Sequence, residues 1–120
     1  MTADEVAGYA WLAGHAAPGS LVLALPSSGN RIPRYADCRV WAGHFCQTLD
    51  YNARAHDAEL CFTAALPDPE RAAFVAASRA DYIFMGPAER HAGVFDPGRL
   101  AGAVPVFQQG EVTVYRLGAR

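Results

Sequence analysis

The chain has 120 residues, 52% of them hydrophobic, with a formal charge of −2 and ten basic residues that are all arginine. That is enough apolar material for one domain with one core, and arginines scattered from Arg31 to Arg120 without a run argue against a nucleic-acid groove or an anionic-membrane patch, which need clustered positive charge. Cys38, Cys46 and Cys61 are odd in number and lack Cys-x-x-Cys spacing, so they imply neither a disulfide framework nor structural zinc; no apolar stretch approaches the roughly 20 residues that cross a bilayer, and the chain as given reads as soluble.

Thr2 followed by Glu5 is a capping-box pattern, and the apolar segment from Val6 to Ala17 reads as a helix ended by Pro18-Gly19. Leu21 to Leu25 is an uninterrupted apolar run, the pattern of a strand covered on both faces. It enters Pro26-Ser27-Ser28-Gly29-Asn30, which reads as a loop. Cys38 to Trp41 is a second, shorter strand leading into Gly43-His44. From Thr48, its expected N-cap, a helix is predicted to about Leu66, with Leu49, Ala53, His56 and Leu60 on one face. Pro67-Asp68-Pro69 breaks it, and Asp68 is expected to cap a new helix through Phe74 and Val75 to about Arg79.

Tyr82 to Met85 is the third strand, followed by Gly86-Pro87 and a looped region with a short helix near Pro97 to Leu100. Val104 to Phe107 and Val112 to Tyr115 flank Gln109-Gly110 as a β-hairpin, and the alternation in its second strand predicts an edge position with a wetter face. The succession predicts a three-layer α/β domain, flavodoxin- or Rossmann-like, spanning residues 1–120. Its mixed sheet is expected to have about five strands in the order 2-1-3-4-5, the last antiparallel.

In that order the loops after the first and third strands flank the switch point where open α/β sheets bind ligands. Ser27, Ser28, Gly29 and Asn30 would gather there with Gly43, His44, Thr48, Gly86, Glu89, Arg90 and His91. The Ser-Ser-Gly-Asn stretch offers hydroxyls and backbone N–H groups to an anion, or simply turns the chain; it lacks both the dinucleotide fingerprint and the P-loop lysine. His44 is the best candidate for proton transfer near neutrality, or for a structural bond to a loop carbonyl or Glu89. Arg90 is suited to a phosphate or carboxylate, and with Glu89 equally to a loop-locking ion pair. No Gly-x-Ser-x-Gly accompanies them. The set His44, Cys46, Glu89 and His91 lacks specific metal spacing, and neither metal nor cofactor is expected.

Gly43-His44-x-x-x-Thr48 and Gly86-Pro87-x-Glu89-Arg90, with the Trp11-Leu12 helix and the terminal Val114-Tyr115-Arg116 strand, give the chain a resemblance along nearly its whole length. It resembles the soluble C-terminal domain of bacterial polytopic membrane proteins of the dolichyl-phosphate-mannose mannosyltransferase-like, or GT-C, class. The resemblance implies a piece of a longer membrane protein that transfers sugars from polyprenyl-phosphate donors, lying on the extracytoplasmic face. It implies a non-catalytic accessory or recognition role, with the parent's own membrane portion as partner, together with a lipid-linked sugar or acceptor. No catalytic residue carries over. Two alternatives stay open: a free-standing flavodoxin-like domain binding a small phosphorylated ligand or nucleotide, and a hydrolase or transferase using His44 as base.

Overall fold

A computed structural model of the chain describes residues 2–29, 31–41, 51–63, 67–93 and 95–117, with the side chains of 26 and 51–55 excepted. Helix α1 (Ala3–His15) begins at a complete capping box: the Thr2 hydroxyl accepts from the Glu5 N–H at 3.1 Å, and the Glu5 carboxylate accepts from the Thr2 N–H at 2.7 Å. Strand β1 (Ser20–Leu23) runs into two single-turn helices, α2 (Pro26–Gly29) and α3 (Ile32–Tyr35), before β2 (Cys38–Val40). The stretch expected as a loop is therefore helical, the Ser28 and Gly29 N–H groups both donating to the Leu25 carbonyl.

Helices α4 (Tyr51–Thr63) and α5 (Asp68–Ser78) lead to β3 (Tyr82–Met85), α6 (Pro87–Ala92), a 3-10 turn at Pro97–Arg99, and the hairpin β4 (Ala103–Gln109) and β5 (Val112–Leu117). Two local expectations are corrected. Asp68 is the first residue of α5 rather than its cap; Pro67 holds the cap position without a side-chain bond, and the Asp68 carboxylate reaches Arg99 at 2.5 Å instead. Among the described side chains of α4, Ala58, Cys61 and Phe62 are buried while His56 and Leu60 are exposed; Leu49 and the Ala53 side chain lie outside the described residues. Phe62 meets Phe95 edge-on with ring centroids 5.1 Å apart, and that contact orients the helix.

The five strands form one mixed sheet in the order β2-β1-β3-β5-β4. β1 is parallel to β2 and β3, and β5 is antiparallel to both β3 and β4. The expected 2-1-3-4-5 order is thus corrected at the hairpin, and β5 is not an edge. Burial explains the exchange. Val112, Thr113 and Val114 are all buried and suit the slot beside β3, whereas β4 is mostly exposed, carries Pro105 and shifts register between Pro105 and Phe107. Proline and an irregular register belong at an edge, where a missing N–H costs no ladder bond.

Alternate residues of β1 and β3 feed two buried clusters. Val22, Ala24 and Phe84 join Tyr9, Leu12, Ile32, Val112 and Val114 in one. Leu21, Leu23, Ile83 and Met85 join Cys61, Phe62, Val75 and Phe95 in the other. Covered faces on both sides are why these strands read as continuous apolar runs. In the first cluster Tyr9 is stacked between Tyr35 and Phe84, at centroid distances of 5.2 and 5.1 Å. Gly8 brings α1 close to the sheet: a methyl there would meet Val112 Cγ1 at 2.8 Å and Phe84 Cε2 at 3.0 Å. Among the described residues no helix is long and apolar enough to cross a membrane.

Candidate functional site

The C-terminal ends of β1 and β3 lie side by side, β2 beyond one and β5 beyond the other. The segments leaving them, α2 and α6, meet at that rim, joined by the N-terminal end of α1 and the tip of the hairpin. Gln109 Nε2 donates to Asp4 Oδ1 at 2.9 Å, fixing the tip to the helix.

Glu89 is at the centre of the rim and fully buried. Pro87 starts α6, which places Glu89 where its Oε1 can accept from the Gly86 N–H at 3.0 Å. Its Oε2 accepts from the Leu25 N–H at 3.0 Å, and the Ser28 hydroxyl also bonds to it. Burial pushes the Glu89 carboxyl above its ordinary value of 4.5, against the opposing pull of Ser28 and the backbone N–H groups of Gly86, Glu89 and Leu25. Gly86 must remain small, because a methyl there would lie 2.7 Å from Phe84 Cε1.

Arg90 turns away from its neighbour and forms no ion pair with it. Its Nε donates to the Glu111 carbonyl, and its Nη2 donates to Thr113 Oγ1 at 2.6 Å, so α6 is clamped to the start of β5. Gly86, Glu89 and Arg90 therefore tie three segments together. Ser28 is buried against Glu89, Gly29 is buried within α2, and Ser27 and His91 are exposed. Asn30, Gly43, His44 and Thr48, and with them the Gly-His-x-x-x-Thr stretch, lie outside the described residues.

Three groups at this rim carried no sequence signal as site residues. Glu5, 5% exposed, pairs with Arg31 at 3.3 Å and links the start of α1 to the start of α3. The Tyr9 hydroxyl is buried with no partner at hydrogen-bonding geometry among the described residues; burial raises its phenol, and nearby Arg31 opposes that. Their spacing in sequence, 5, 9 and 31, mixes an ordinary helical repeat with a distant loop, so only the fold assembles them.

Two clefts flank the second buried cluster. One, of about 260 Å³, is lined by Met85, Arg90, Gly93, Phe95, Asp96, Pro97 and Tyr115 and opens beside α6. The other, of about 200 Å³, lies between α5 and the 3-10 turn, crossed by the Asp68–Arg99 pair. Arg71 lines it with its Nε donating to the Cys61 carbonyl at 2.9 Å and its guanidinium 5.5 Å from the Phe95 ring centre. Among the described residues no three His, Cys, Asp or Glu side chains gather closely enough to hold a metal ion. No family model matches the chain, and no curated protein matches it.

Proposed function

We propose that this chain is a non-catalytic accessory or recognition domain of a membrane glycosyltransferase-like protein that uses polyprenyl-phosphate sugars. Its partner is the membrane portion of its own parent, on the extracytoplasmic side, and its sheet with a buried cluster on each face follows a three-layer, flavodoxin- or Rossmann-like plan. One observation carries the non-catalytic half of the reading. The carboxylate of Gly86-Pro87-x-Glu89-Arg90 is buried and accepts from Leu25, Gly86 and Ser28. A carboxylate so enclosed has no lone pair directed at a substrate proton, as general acid–base work requires. Of the two stretches that carry the resemblance, the one within the described residues is then a folding device, consistent with a domain that supports or recognises rather than reacts.

The test is the reading frame upstream of Met1, with a transfer assay beside it. Several apolar segments of about 20 residues each, in frame, are expected, and the isolated chain should transfer no sugar from a polyprenyl-phosphate donor. An independent start with no apolar segment before it would overturn the membrane reading, and turnover by the isolated chain would overturn the accessory one.

A free-standing binder of a phosphorylated ligand is the second reading, favoured by the exposed Arg90 guanidinium at this rim, which keeps N–H groups not used on the hairpin. Stabilisation of the fold by phosphate or a mononucleotide would support it, since a ligand selective for the folded state must raise the melting temperature.

A further inference from the structure

The rim holds polar groups of two kinds. Those around Glu89 satisfy one another, whereas three in the cleft beside α6 retain bonding capacity. Arg90 uses Nε and Nη2 on Glu111 and Thr113, and the described residues supply no partner for Nη1. Asp96 accepts the Gly98 N–H on Oδ1 at 3.0 Å, and its Oδ2 has no partner among the described residues. The Tyr115 hydroxyl has no hydrogen-bond partner among the described residues, yet both Asp96 and Arg90 act on it electrostatically. Arg90 and Asp96 form no ion pair with each other, so the donor and the acceptor face the cleft separately, above walls built from Met85, Phe95 and Pro97.

We propose that this cleft is a binding site for a single sugar ring, held through its hydroxyls by Arg90, Asp96 and Tyr115 above the largely buried floor of Met85 and Phe95. The chemistry selects a neutral polyol. Arg90 uses two of its five N–H groups on the hairpin and keeps three for hydroxyl oxygens, while the Asp96 carboxylate beside it repels an anion. Adjacent ring hydroxyls, by contrast, accept from a guanidinium and donate to a carboxylate at the same time. A volume of about 260 Å³ falls just below the roughly 300–1,000 Å³ of clefts for drug-sized ligands, which suits one ring and not a nucleotide.

The inference rests on the recognition half of the reading above. It is tested by titrating the isotope-labelled chain with methyl α-glucopyranoside and methyl α-mannopyranoside, and separately with inorganic phosphate, while following the amide resonances. Saturable shifts at Gly93, Asp96 and Tyr115 with at least one glycoside are expected, weakened about tenfold by Asp96→Asn, the loss of one charge-assisted hydrogen bond. Asparagine keeps the side-chain oxygen that accepts the Gly98 N–H, and Tyr115→Phe, a second variant, keeps the ring; unchanged resonances elsewhere establish that both still fold. No saturable shift with either glycoside, shifts that both variants leave intact, or saturation by phosphate alone would overturn the site. A negative titration leaves an upstream membrane portion standing, and sugar binding by a chain with an independent start would retain this site while removing the membrane reading.

Discussion

Glu89 Oε2 accepts a hydrogen bond from the backbone N–H of Leu25, 64 residues earlier in the chain, at 3.0 Å. Through it the turn after β1 and the turn after β3 become one unit, because Oε1 of the same carboxylate holds the Gly86 N–H. Removing either acceptor leaves a buried donor without a partner, at a cost of about 1–3 kcal/mol.

Glu89→Gln tests this link and its pH dependence together. The amide presents one acceptor and one donor where two N–H groups need acceptors, so a loss of about 1–3 kcal/mol is expected in denaturant unfolding. Because burial raises the folded-state pKa of Glu89 above 4.5, the folded chain holds this proton more tightly than the unfolded one. The associated stability is complete below the unfolded value and is lost as pH rises through the folded one. The wild-type advantage over Glu89→Gln should therefore be largest in acid and shrink toward neutrality; a constant difference would contradict the burial-raised pKa.

The Arg90 clamp should be measurable as a coupling. Arg90→Met and Thr113→Val, alone and combined, should give an interaction of about 0.5–1.5 kcal/mol in a double-mutant cycle. Amide exchange should quicken first at Glu111 to Thr113, where the guanidinium holds the hairpin to α6. Strictly additive losses would mean that the two contacts stabilise independently.

Gly8→Ala opposes helix propensity to packing. In an open helix the change would gain up to about 1 kcal/mol. Here the added methyl would sit 2.8 Å from Val112 Cγ1, so a net loss of about 1–3 kcal/mol by overpacking is expected in thermal or chemical melts. A more stable variant would show that α1 can retreat from the sheet at little cost.

The buried thiols should be inert in the folded chain. Burial pushes Cys61 up to about 12, with Arg71 opposing, and raises Cys38, aided by Asp37 and Asp81. In a Cys46→Ser background a disulfide reagent should react with both only as denaturant unfolds the chain. Rapid reaction under native conditions would contradict the packing of α4 and β2.

Some of this was legible because its causes are local. The Thr2–Glu5 capping box, the apolar runs of β1 and β3, and the hairpin around Gln109-Gly110 depend on residues within a few positions of one another, and they fold as read. The face of α4 was not, since His56 with Leu60 and Ala58 with Cys61 and Phe62 each offer a helical stripe; the ring of Phe95 chose the second. Nor was the order of the hairpin strands. Both read as strands, and only competition for the slot beside β3 placed buried Val112 and Val114 inside and Pro105 outside.

The sequence by itself determined an α/β domain, its parallel centre, and the two rim segments on which polar chemistry gathers, because patterning and capping act over short stretches. The tertiary structure decided which partners those side chains meet. Glu89 and Arg90 look equivalent as neighbours in sequence, yet one is enclosed by Leu25 and Ser28 while the other spans to the hairpin and borders an open cleft. Whether a polar group locks the fold or remains available to a ligand depends on partners brought from distant parts of the chain, and those partners exist only once the sheet has formed.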